Sequence, residues 1–248
     1  MNVFLTNFTP TVSPYIQSLT FMQLRLLLLL FITLLASCQP TTIDVTPGGT
    51  KTPLSQTIVI IGSSTAAGWG ASEYKYSWAG LLTQELSNGK VVNLAKGGYT
   101  SYQLLPTNAS HPADRPEADT LRNINAALKE KPNTLILSIS SNDLIIGCSV
   151  EEIIANFNTI RSKALAAGVA HVIITTPLPR NYSSEVTANL LLQRDLVLKN
   201  YGTSAVNIFD PLANEQQLTK AELLSGDGIH PNDKGHMVLF KIISGFLL

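Results

Sequence analysis

The chain reads as an α/β domain, a three-layer α/β/α sandwich on a mainly parallel sheet. Three observations lead there. From residue 57 onward, short β-branched apolar runs alternate with stretches of helical periodicity, the pattern of parallel strands joined by right-handed crossovers. The first run, Thr57-Ile58-Val59-Ile60-Ile61, has no polar alternation, as suits a strand covered on both faces. Hydrophobic residues make up 45% of the 248, a composition that fits one globular domain plus an extra segment.

The elements follow in order. Residues 57–61 form a strand that stops at Gly62. Residues 73–86 carry apolar side chains at helical spacing, with Asn88-Gly89 as a stop signal. A short strand is expected over 91–94 and a helix over 120–129. Pro132-Asn133 then leads into a strand at 134–138. An amphipathic helix at 151–165 ends at Gly168, and an apolar strand covers 169–175. Residues 184–198 read as helix and 205–209 as the last strand. His230-Pro231 opens a final helix that runs towards Gly245.

The charge balance narrows the partners. There are 17 basic and 17 acidic residues and no long block of one sign, so nothing points to nucleic acid or to electrostatic membrane binding. The four histidines (His111, His171, His230, His236) form no H-x-x-x-H pair, and the two cysteines form no C-x-x-C. A metal site therefore has little support, and no cofactor is expected.

The N-terminus reads as an address. Arg25 precedes a near-continuous apolar run from Leu26 to Leu35. About ten residues of helix span roughly 15 Å, where a membrane span needs roughly 20 residues; a signal-peptide core fits better. Leu35-Ala36-Ser37-Cys38 then resembles the lipobox of bacterial lipoproteins, which implies that Cys38 is acylated and becomes the first residue after cleavage. Residues 1–21 hold no Lys or Arg, so translation is expected to start at Met22. The stretch after Gln39, up to residue 56, is rich in Thr and Pro and reads as a flexible tether. Two acyl chains hold a protein on a membrane stably, and the expected location is the bacterial cell envelope. Cys148 is left as a small buried hydrophobe.

Ligands of parallel α/β sheets bind at the carboxyl ends of the strands, and polar residues cluster there in four places. The first strand ends in Gly62-Ser63-Ser64-Thr65. The second is followed by Lys96-Gly97-Gly98-Tyr99. The third ends in Ser140-Ser141-Asn142-Asp143, and near the C-terminus comes Asp227-Gly228-Ile229-His230. Each fragment alone is weak, since small residues after a strand usually make only a turn. Their order and spacing together resemble the four blocks of the SGNH (GDSL-like) hydrolases, over about residues 57–248. The resemblance implies a flavodoxin-like fold and a serine esterase. Ser64 would be the nucleophile, His230 its base and Asp227 the residue orienting that base. The Ser64 N–H, the Gly98 N–H and the Asn142 amide would form the oxyanion hole.

The chemistry agrees with that assignment. A serine hydroxyl needs a base to accept its proton. Asp227 lies three residues before His230, so one turn can bring its carboxylate to the imidazole and set the tautomer. Ser64 is expected to start a short helix, whose N–H groups favour negative charge. Gly98 has no Cβ to block approach of the backbone to a substrate. Two departures from the family pattern stand out: Ser63 occupies a position usually held by Asp, and Ser140 one often held by Gly. Neither removes a catalytic atom.

The substrate class stays open between short-acyl or O-acetyl glycan esters and lysophospholipid or thioester substrates. A competing class is a non-catalytic, glycan-binding envelope protein on the same fold. Other polar residues have blander readings. Asp143 is expected to hold loop backbone and Arg180 to touch substrate or pair with a carboxylate. Trp69 is expected to pack beside Gly68 and Gly70, with an acyl or sugar platform as the alternative, His171 to be structural, and His236 to occupy a helix face. The segment 102–118 is long for a loop and is expected to shape the substrate pocket.

Overall fold

The computed structural model describes residues 56–247; the expected signal segment, Cys38 and most of the tether lie outside them. The strands are β1 (Thr57–Gly62), β2 (Lys90–Asn93), β3 (Thr134–Ser138), β4 (His171–Thr175) and β5 (Ala205–Val206). The helices are α1 (Trp78–Glu85), α2 (Ile124–Lys129), α3 (Asn142–Ile145), α4 (Val150–Ala166), α5 (Ser184–Tyr201) and α6 (Asp233–Leu247). All strand pairs are parallel and the sheet order is β2-β1-β3-β4-β5, the flavodoxin-like order with its switch point between β1 and β3.

Alternation along the strands feeds two cores. Ile58, Ile60, Ile136 and Ile173 face Trp78, Ala79 and Leu82 of α1 and Leu239 and Ile243 of α6. Val59, Ile61, Leu135, Leu137 and Ile174 face Ile124 of α2, Phe157 and Ile160 of α4 and Val197 of α5. The three-layer expectation holds because successive side chains of a strand point to opposite faces.

Side-chain caps set the boundaries where they differ from the expected ones. The Ser77 hydroxyl accepts the Gly80 N–H at 3.1 Å, so α1 starts at Trp78 and Tyr74–Tyr76 is a separate 3-10 turn. Asn123 accepts the Ala126 N–H at 3.1 Å, which starts α2 at Ile124, not at residue 120. Asn232 accepts the Gly235 N–H at 3.0 Å just before α6. The last strand is cut short because the Thr176 hydroxyl takes the N–H groups of Ile208 and Phe209, at 2.9 and 3.0 Å. Each of these side chains offers the backbone an acceptor in place of a ladder or helix partner.

The segment 102–118 is fastened. Arg115 Nε donates to Glu152 Oε1 at 2.8 Å, and its Nη2 donates to the Gly147 carbonyl at 3.2 Å. The Tyr102 hydroxyl donates to the same Glu152 oxygen. Glu152 also closes a capping box with Ser149 at the start of α4. The Arg115 guanidinium outweighs the effect of burial, and with Tyr102 it holds the Glu152 carboxyl down at about 2. A carboxylate with a lowered value adds stability above its unfolded value and loses it as pH falls. We expect Glu152→Gln to melt at a lower temperature than wild type at pH 7, with the gap closing as pH falls from about 5 towards about 2. Circular-dichroism melts across that range check it; a gap independent of pH would mean that the charge contributes nothing.

Candidate active site

β1, β2 and β3 end on one edge of the sheet, and the four polar segments meet there. Ser63 N–H donates to the Ser138 carbonyl at 3.1 Å, holding the first segment against β3. Beyond Ser64 the expected helix does not form. The bonds run Ala67 to Ser63, Gly68 to Thr65 and Trp69 to Ser64, spans of four, three and five residues. The result is a run of turns, with Gly68 and Gly70 at φ +97° and +93°, where a regular helix cannot continue. Gly70 is also a contact point. A Cβ there would stand 2.2 Å from the Pro231 carbonyl oxygen and 2.7 Å from His230 Cβ. This glycine lets the nucleophile segment lie directly on the histidine segment.

The Asp227 loop is held by its own carboxylate. Oδ1 accepts from the Ser225 hydroxyl at 2.7 Å, the Ile229 N–H at 2.8 Å and the His230 N–H at 2.9 Å. Oδ2 lies 2.6 Å from His230 Nδ1. Burial pushes this carboxyl upward, but the donors together overcome it and hold it well below the usual carboxylate range. The Nδ1 proton therefore faces Asp227. That leaves the lone pair of Nε2 for Ser64, whose hydroxyl oxygen is 2.8 Å away. Ser64 and His230 are both largely buried, at 6% and 8% exposure.

Gly98 has φ +80°, and a Cβ there would meet nothing within 4 Å. The conformation, more than any contact within the protein, calls for glycine. Among the described residues neither the Ser64 N–H nor the Gly98 N–H has a protein acceptor. The Asn142 amide gives one hydrogen to the Tyr99 carbonyl at 2.8 Å and keeps the other. Asp143 beside it is fully buried and accepts the Ser101 N–H at 2.9 and 3.0 Å, together with the Ser101 hydroxyl. Burial raises its carboxyl to about 6 against these donors. Asp143 thus ties the Gly98 segment to the Asn142 segment, as expected. The structure brings together Ser64, Gly98, Asn142, Asp227 and His230, while Cys38 is outside the described residues.

The sequence from residue 60 to 238 matches the GDSL-like lipase/acylhydrolase family. The chain belongs to that family. As a member it is an acyl ester hydrolase. It is 24% identical to the esterase TesA of Pseudomonas aeruginosa over 183 residues, 73% of this chain and 83% of the relative. Its fold is similar to that of a G-D-S-L family lipolytic protein from Desulfitobacterium hafniense, with a TM-score of 0.61 and 20% identity. That match covers 77% of this chain and 99% of the other. The esterase EstA of a Pseudoalteromonas species superposes with a TM-score of 0.57 and 21% identity, over 78% and 99% of the two chains.

Three residues of this hydrolase sit differently from their sequence readings. His236 is fully buried, not on an open helix face. Its Nδ1 accepts the Trp78 N–H at 3.3 Å and its Nε2 donates to the Trp69 carbonyl at 3.0 Å; burial lowers its pKa and keeps it neutral. Trp69 is 55% exposed, so packing between its two glycines accounts for only part of it. Arg180 is 3% exposed, and among the described residues it has no carboxylate within ion-pair distance. It donates instead to the Ile229 carbonyl and, at 3.3 Å, to the Thr65 hydroxyl, while its Nε finds no acceptor among the described residues. Burial drags its pKa down to about 10. Only its place after a strand, in Thr175-Thr176-Pro177-Leu178-Pro179-Arg180, hinted at the site.

Arg180 thus spans from the neighbour of Ser64 to the neighbour of His230. Arg180→Met would relieve a desolvated charge but release both segments. Misplacement by about 1 Å can cost about 10²-fold in rate. We expect a kcat loss of that order with a melting temperature near wild type, and partial recovery in Arg180→Lys. Steady-state ester hydrolysis beside thermal melts checks it; an unimpaired Arg180→Met would show that the bridge is dispensable.

Proposed function

We propose that the protein is a serine esterase of the cell envelope that hydrolyses short-chain acyl or O-acetyl glycan esters through an acyl-Ser64 intermediate. The observation that carries the reading is the relay Asp227–His230–Ser64. One hydrogen bond, of 2.6 Å, joins His230 to Asp227 three positions before it, and a second, of 2.8 Å, joins it to Ser64, 166 positions away in the chain. A protein that only bound glycans would have no use for such a relay.

The steps balance as follows. The Ser64 oxygen attacks the ester carbonyl carbon while His230 Nε2 takes the hydroxyl proton. The carbonyl oxygen becomes an oxyanion and accepts from the Ser64 and Gly98 N–H groups and the free Asn142 amide hydrogen. The tetrahedral adduct collapses, the carbon–oxygen bond to the alcohol breaks, and the alcohol leaves with the proton held by His230. Water then attacks the acyl-serine, giving its proton to His230. Collapse returns that proton to Ser64 and releases the acid. Asp227 stays ionised and stabilises the imidazolium at each transfer.

The lipobox resemblance supports the envelope location.

Hydrolysis of p-nitrophenyl acetate, butyrate and octanoate by residues 39–248 tests the reaction. We expect activity that falls with chain length and disappears in Ser64→Ala. Asn142→Ala should lose about 10²–10³-fold in kcat through one missing oxyanion donor. Equal rates for Ser64→Ala and wild type would remove Ser64 as nucleophile. For the anchor, Cys38→Ala in the full chain should move the protein from the membrane fraction to the soluble fraction and abolish labelling by a fatty-acid probe. Retention with label intact would exclude Cys38 as the acylated residue.

A further inference from the structure

Trp69 has an exposure that the fold does not require. The chain's other tryptophan, Trp78, is buried in the core, whereas Trp69 is 55% exposed, five residues after the nucleophile. Its backbone is fixed on both sides: its N–H donates to the Ser64 carbonyl at 3.0 Å and its carbonyl accepts from His236. The indole stands edge-on to the His230 imidazole, with ring centroids 5.5 Å apart and planes at 65°. It also lies on Gly97, where a Cβ would be 2.3 Å from the indole Cζ2. The ring therefore spans from the histidine to the residue before Gly98, held in place and open to solvent.

Chemistry tells the two halves of an ester apart here. The departing alcohol oxygen takes its proton from His230 Nε2 and must pass within hydrogen-bond reach of it. The group bonded to that oxygen then lies on the His230 side of Ser64, where Trp69 stands. An exposed rigid indole suits a flat-faced ring with C–H groups on one side and hydroxyls on its rim, because it gives contact area at low entropic cost. A sugar ring has that shape.

We infer that Trp69 is the subsite for the alcohol half of the substrate, and that this half is a sugar ring of an O-acylated glycan. The inference rests on the esterase reading and adds to it the side and the chemistry of recognition. The neighbouring surface continues the fit. Tyr74 is half exposed, and its ring lies 3.1 Å from where a Gly68 Cβ would stand. Glu73 and Lys75 pair at 3.0 Å in solvent, and Ser72 is bonded to Asp233 at 2.7 Å. Aromatic faces interleaved with balanced charges and hydroxyls match a glycan chain. A bilayer surface would favour aliphatic residues with a basic excess.

The test compares leaving groups at a constant acyl group. Wild type and Trp69→Ala are assayed on glucose pentaacetate, acetylated xylo-oligosaccharides and methyl acetate. We expect the loss in kcat/KM to be about tenfold greater on the sugar acetates than on methyl acetate, the size of one good stacking contact. Trp69→Phe should recover part of it. The loss should fall on acylation and spare deacylation, since the alcohol has already left. The acetate:butyrate:octanoate ratio should hold. Equal losses on sugar and methyl esters would reduce Trp69 to a support for His230, and a changed chain-length ratio would move it to the acyl side. Either result overturns the inference while leaving the esterase reading intact.

A second arm does not depend on turnover. In Ser64→Ala, added acetylated xylo-oligosaccharide should shift the tryptophan emission of Trp69, and the additional change Trp69→Phe should abolish the shift. An unchanged emission counts against the inference. So does a shift produced by neutral phosphatidylcholine vesicles and not by the oligosaccharide, which would reassign the surface to lipid.

Discussion

The catalytic edge depends on one carboxylate staying ionised. Asp227 sits in a short loop with its side chain 46% exposed, and four donors hold its carboxyl well below the usual carboxylate range against the upward push of partial burial. Three of them come from the loop itself, from Ser225, Ile229 and the His230 backbone. The groups that shape the loop are thus the groups that keep the charge. The same charge selects the imidazole tautomer that presents a lone pair to Ser64. If Asp227 were neutral, the loop would lose three acceptor contacts of full strength as well as its hold on the ring.

A second constraint brings the two ends of the domain together. Parallel strands deliver Ser64, Gly98 and Asn142 to one edge, but His230 comes from beyond the sheet. It arrives because Gly70 leaves space for the Pro231 carbonyl and because Arg180 reaches from Ile229 to Thr65. His236 adds a further tie, from α6 to the Trp69 carbonyl. None of these three residues enters the proton relay. They decide the distance over which it operates.

Much of this was legible from residues alone, and the reasons differ by element. The unbroken apolar run at 57–61 identifies a strand buried on both faces, and β1 is one. The spacing in Asp227-Gly228-Ile229-His230 is short enough that local geometry almost forces the carboxylate onto the imidazole. What was not legible depends on partners distant in sequence. The turns after Ser64 look helical in composition, yet the chain there must also fit against Pro231. The β5 strand reads as five residues, but Thr176 from the preceding strand end captures two of its N–H groups. Arg180 reads as a substrate contact or the partner of a carboxylate because no pattern announces a buried guanidinium bonded to a carbonyl and a hydroxyl. The segment 102–118 reads as a long loop with no sign of its clasp, because Arg115 on Glu152 crosses 37 positions.

The direction of β1 has a mechanical consequence. The strand enters the sheet at Thr57 and delivers Ser64 at its far end, about 20 Å away for six residues of extended chain. It is flanked on both sides by parallel neighbours, β2 and β3. Tension applied to the chain ahead of Thr57 would pull along the strand, loading its two ladders in shear, all rungs together, and not peeling them one at a time. The load would enter at the edge remote from the nucleophile and spread into the sheet before it reached the turns that set the Ser64–His230 distance.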